Sequence, residues 1–128
     1  MKARHYLVLM LLWMVLIWSV SSLPSDNIPS SKIFGIDKLA HFGIYFIWGL
    51  ISALHLRRIN ASSPLQIFII SIMLLLAACD EYHQLYIPGR QVSIFDLCAN
   101  WLGLLSAHLI FKILSKIRKH DYGKRATN

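Results

Sequence analysis

Four apolar stretches separated by short polar breaks set the pattern of the chain. Tyr6 to Leu23 is apolar except for serines near its end. Leu39 to Leu56 is interrupted only by His41 and His55. Pro64 to Cys79 follows "NASSP", where serines ahead of a proline suit a helix start. Ile94 to Leu114 carries Asp96, Asn100, His108 and Lys112. No stretch alternates as a strand would, and an unpaired strand leaves its backbone unsatisfied in hydrocarbon. A spanning helix takes about 20 residues, range about 17–25. Three stretches fit and the third sits near the short limit. The pattern therefore predicts an all-α bundle of four transmembrane helices. The first stretch has a second reading. "MKARHY", an apolar run and "SVSS" are also similar to a secretory signal peptide. Cleavage there would leave three helices in the same orientation.

Composition strengthens the membrane assignment. Of 128 residues, 56% are hydrophobic and 15% charged, with a mean hydropathy of +0.54. A soluble domain carries about 25% charged residues. The length suits one domain, residues 1–128, ending in a basic tail from about residue 115. The net charge of +7 does not point to nucleic acid, because much of it lies in that tail, behind apolar segments.

Charge placement also gives an orientation. With both termini inside, the inner segments hold Lys2, Arg4, Arg57, Arg58, Lys112, Lys116, Arg118, Lys119, Lys124 and Arg125. The outer loops hold only Lys32, Lys38 and Arg90. Lys and Arg concentrate on the cytoplasmic side of membrane proteins. The chain is thus expected to run N-in, C-in. Asp26, Asp37, Asp80, Glu81 and Asp96 then fall outside or at the outer boundary, where the ends of helices 2, 3 and 4 form a polar cluster.

That cluster is where chemistry is expected. In "GIDKLAHFGIYF", Asp37 suits a helix cap and His41 follows on the same face, four residues on. In "CDEYHQLYIPGR", Asp80 and Glu81 stand at a helix C-terminus, where the macrodipole prefers cations. They call for a partner: Arg90, Lys38 or a protonated His41. Pro88 and Gly89 supply a turn expected to fold Arg90 back toward the carboxylates. In "SIFDLCANWLG", Ser93 or Asp96 suits a cap, and Asp96, Asn100, Gly103 and Ala107 share one face. Ala99, Gly103 and Ala107 leave room for a neighbouring helix to approach closely. Cys79 and Cys98 flank the same loop and read as buried free thiols, with a disulfide as the alternative. His55 and His108 read as ordinary polar residues of the inner half.

At these residues the chain resembles the VanZ-like family of small bacterial membrane proteins. "DKLAHF", "DEYHQLYIPGR" and "SIFDLCANWLG" occur in the family's order. Asp37, Lys38, His41, Asp80, Glu81, Gln84, Pro88, Gly89, Arg90, Asp96, Asn100 and Gly103 fill its pattern. The resemblance implies a multi-pass protein of the bacterial cytoplasmic membrane. It also implies a link to glycopeptide resistance, particularly to teicoplanin, without supplying a settled biochemical activity.

Three functions remain open on these residues. One is an envelope enzyme acting on an amphiphile, with His41, Asp80, Glu81 and Asp96 as acid–base candidates. Another is a noncatalytic binder or gate for a cell-wall precursor lipid or lipidated glycopeptide. There Asp37, Lys38, Gln84, Arg90 and Asn100 would hold the headgroup, Arg90 through bidentate bonds. The last is a structural or partner-docking bundle. Asp, Glu and His side chains also suit a divalent metal chemically. The residues name no cofactor, metal or oligomeric state.

Overall fold

The computed structural model describes residues 2–24 and 35–126, with side chains described as far as Arg118 and at His120. Asp26, Lys32 and the side chains of Lys119, Lys124 and Arg125 lie outside that description. The elements are α1 (Ala3–Ser21), α2 (Ile36–Arg58), α3 (Ser63–His83), one 3-10 turn (Gln84–Tyr86) and α4 (Ile94–Ala126). All four long helices are long and apolar enough to cross a membrane. The protein is a multi-pass helical membrane protein.

Each helix outruns part of its apolar stretch, because hydrophobicity marks the lipid-facing length and not the hydrogen-bonded one. Most visibly, α3 continues beyond Cys79 through His83 and into the 3-10 turn. Nothing in "DEYHQLY" forbids helix. Pro88 ends it, and Gly89 turns the chain at φ 74°. Pro64 opens α3 in its first turn, behind Ser62.

The core is formed by α2 and α4, which pack along their length, with α1 against α2 and α3 against α4. Two glycines permit the central approach. A Cβ on Gly103 would lie 2.3 Å from the Phe42 carbonyl oxygen and 3.0 Å from the Phe46 nitrogen. A Cβ on Gly49 would lie 2.8 Å from both Ala107 Cβ and the Leu104 carbonyl oxygen. The small-residue face of α4 therefore meets α2, and Gly49 is its counterpart there. Ile17, Tyr45, Trp48, Met73, Ala77 and Leu104 fill the interior from all four helices.

Three indoles tie the outer helices on. Trp13 Nε1 donates to the Ile44 carbonyl at 2.9 Å, Trp48 Nε1 to Met10 at 3.0 Å and Trp101 Nε1 to Leu74 at 3.0 Å. A helical carbonyl has a second lone pair, so it accepts these bonds without leaving its own helix ladder. An indole N–H left unpaired in hydrocarbon is costly, which makes such bonds specific for register. The expectation of buried thiols is corrected: Cys79 and Cys98 are free and exposed. The inward face of α4 carries Asp96 and Asn100, so Cys98, two residues from each, points away from it.

Candidate functional site

The C-terminal ends of α1 and α3 meet the N-terminal ends of α2 and α4 at one end of the bundle. Ser21 Oγ accepts from Gln84 Nε2 at 3.1 Å, and His41 Nδ1 lies 3.0 Å from Asn100 Oδ1. Asp80, Glu81, Gln84, Asp96 and Asn100 are all buried here. So many buried polar groups in so small a bundle demand partners.

The partners differ from those the sequence suggests. The Tyr45 hydroxyl donates to Asp80 Oδ2 at 2.9 Å, and the Ser93 backbone N–H donates to Glu81 Oε1 at 2.7 Å. The expected Arg90, Lys38 or His41 partners are not the ones these carboxylates take. The helix runs on past them, so they leave the charged terminus and turn inward to neutral donors. Ser93 in turn accepts the Asp96 backbone N–H on its hydroxyl at 3.3 Å. Glu81 thereby anchors the start of α4 to α3.

Lys38 takes Asp37 Oδ2 at 2.8 Å and Asp96 Oδ1 at 3.1 Å, bridging α2 to α4. Asp37 does not cap the first turn of α2 as expected. Gly35 occupies the cap position with φ 90°, and its N–H donates to Asp37 Oδ1 at 3.2 Å. A side chain already inside the helix reaches backward, not forward to the free N–H groups. Asp37 and His41 share a face of α2 but bond elsewhere, Asp37 to Lys38 and His41 to Asn100.

Arg90 also departs from its expected partners. Its Nε donates to the Leu23 carbonyl at 3.2 Å and its Nη2 to the Val20 carbonyl at 3.4 Å. It closes the C-terminal end of α1, where carbonyls lack helix partners and the dipole favours a cation. Sequence spacing cannot show this, because α1 is about 70 residues away along the chain.

A cavity of about 130 Å³ lies within this cluster. Its polar lining is Ser21, Asp37, His41, Tyr45, Asp80, Gln84 and Arg90, with Ile17, Val20 and Ile44 among its apolar walls. The sequence-based set therefore divides. Asp37, His41, Asp80, Gln84 and Arg90 face the cavity, while Lys38, Glu81, Asp96 and Asn100 brace it from the α4 side. Asp80 is only 1% exposed, and beside Tyr45 its carboxylate has the Ser21 hydroxyl as a neighbouring donor. Ser21 and Tyr45 were missed by sequence reasoning. Tyr45 has a signal, since Asp37, His41 and Tyr45 recur every four residues on one face of α2. Ser21 has none beyond its place in an apolar helix. Among the described residues, no three His, Cys, Asp or Glu side chains are placed to hold a metal ion.

A four-helix membrane bundle with a polar cavity walled by the ends of α1, α2 and α3 and by Arg90 is the class these observations define. The family model described as VanZ/LLP1 matches residues 6–115, most of the chain, and the protein belongs to that family. The match takes in α1, which the three motifs alone do not cover. No curated protein and no solved structure matches the chain.

Proposed function

We propose that the cavity binds the headgroup of an anionic envelope amphiphile at the outer face of the bacterial cytoplasmic membrane. A cell-wall precursor lipid or a lipidated glycopeptide has the required chemistry. The observation that carries this reading is the buried Asp80 carboxylate, held by the Tyr45 and Ser21 hydroxyls and by no lysine or arginine among the described residues, on a cavity that also holds Arg90. A buried carboxylate held by hydroxyls without a cation costs stability, and such costs are retained mainly at working sites. A headgroup that accepts from Arg90 and donates a hydroxyl hydrogen to Asp80 satisfies both walls at once. The volume suits one phosphate- or carboxylate-sized group, given that a water takes about 30 Å³. The apolar tail then lies outside the cavity, along the helices.

Binding is favoured over turnover. Asp80 and His41 each hold a neighbouring helix through a hydrogen bond, a bracing role that supports binding. Ala40 lines the cavity and is exposed, so it sits at the mouth. Ala40→Trp should close the mouth without removing a polar group. In nanodiscs, a polyprenyl phosphate is expected to bind this variant at least tenfold more weakly than wild type, with melting unchanged. Equal binding would place the ligand elsewhere.

The orientation rests on the lysine and arginine distribution. In a chain with Cys79 and Cys98 replaced by serine, Gln91→Cys should react with an impermeant thiol reagent in intact cells, and Ser62→Cys should not. Both positions are exposed. Labelling at 62 with protection at 91 would invert the topology and turn the cavity to the cytoplasm.

A further inference from the structure

A second and larger cavity lies at the opposite end of the bundle. It is a groove of about 1100 Å³ between α2, α3 and α4. Ile67, Ile70 and Leu109 are among its apolar walls, and Arg57, Lys112, Lys116 and Arg118 stand along it. Among the described residues, no carboxylate lines it. The cations belong to the two helices that pack along their length, whereas the α3 wall contributes apolar and neutral polar side chains.

Two details make this more than a solvated basic rim. Arg57 is held in place: its Nη1 donates to Ser115 Oγ at 3.4 Å, and its guanidinium lies 5.7 Å from the centre of the Phe111 ring. That fixes one cation over the groove instead of leaving it to sweep through solvent. Deeper in, His108 lines the groove with its Nε2 buried and without a hydrogen-bond partner. A polar ring nitrogen among apolar walls, below a cluster of cations, matches the layering of a phospholipid. That layering runs from phosphate through ester to chain.

We propose that this groove is a site for one anionic phospholipid. Its phosphate would meet Arg57 and Lys116, an ester oxygen would reach His108, and an acyl chain would lie along α3. The charge asymmetry selects the headgroup, because the four cations along the described lining attract an anionic lipid and give a zwitterionic one no advantage. The apolar walls select a lipid over a free phosphate. This inference is independent of the Asp80 cavity, which lies at the other end of the bundle.

The test is lipid retention by the full chain, released from nanodiscs and measured by native mass spectrometry. Phosphatidylglycerol and phosphatidylcholine of equal chain length would be supplied in equal amounts. Arg57→Gln with Lys116→Gln is the site variant. Lys2→Gln with Arg4→Gln is the control, since it removes equal charge from the end that both termini share but not from the groove. Wild type and control should retain one phosphatidylglycerol, and the site variant should bind it at least tenfold more weakly. Glycerol phosphate, which lacks the chains, should not compete. Equal losses in both variants would reduce the effect to the general attraction of a basic surface and overturn the site. Equal retention of the two lipids, or competition by glycerol phosphate, would overturn it as well.

Discussion

Gly103→Ala should melt far below wild type in detergent, whereas Gly43→Ala should melt at or above it. Both glycines lie in helices, and alanine is the better helix former by about 1 kcal/mol. Propensity alone therefore predicts stabilisation in both cases. Packing reverses the sign at 103. The added methyl would meet the Phe42 carbonyl oxygen at 2.3 Å and the Phe46 nitrogen at 3.0 Å, both backbone atoms of α2. Backbone cannot rotate away, so α2 and α4 must separate. At Gly43 nothing lies within 4 Å of the new carbon. Overpacking a tight contact costs about 1–3 kcal/mol and sometimes more. The same separation would stretch the His41–Asn100 bond, so Gly103→Ala should also weaken whatever the polar end binds. Thermal melting of the two variants side by side measures this, and indistinguishable curves would mean that the helices do not approach as described.

The second large effect is expected at Arg90. Arg90→Lys should leave melting within a degree or two of wild type while reducing ligand binding tenfold or more. The two bonds Arg90 makes are long, at 3.2 and 3.4 Å, and solvent-exposed, so little stability depends on them. Lysine keeps the cation at the α1 terminus, and an interaction of that kind with the helix end is worth about 0.3–1 kcal/mol. Binding depends on the guanidinium. Two of its nitrogens are engaged by carbonyls, which orient the plane and leave Nη1 for a ligand in the cavity. An ammonium on a flexible stem has no such fixed plane. A purely structural Arg90 gives the opposite pattern, a fall in melting and no ligand lost.

Much of the architecture was legible from hydrophobicity. Four spans were marked by four apolar runs, because lipid enforces long uninterrupted apolar helices. The Gly103 face was legible for the same kind of reason, since small residues every four positions have few other uses in a membrane. The polar residues were legible as a set but not as pairs. A carboxylate in a sequence announces a need for a donor without saying which donor. Asp80 found Tyr45, Glu81 found a backbone N–H at Ser93, and Lys38 took the two acids at the helix starts. Those choices depend on which helix ends adjoin, and adjacency is set by Gly49, Gly103 and three tryptophans. Arg90 was misread most instructively. Its charge draws attention to carboxylates, while the carbonyls at the end of α1 carry no mark in the sequence.

The central claim is that the polar end of the bundle is a binding site and not merely a brace. Titrating wild type and Arg90→Lys with polyprenyl phosphate, cell-wall precursor lipid and lipoglycopeptide, with melting followed on the same samples, tests it most directly. The account predicts that at least one of these binds wild type, that Arg90→Lys loses it by tenfold or more, and that the two proteins melt together. A ligand held equally by both proteins, or none held by either beside a large melting loss in Arg90→Lys, would contradict it.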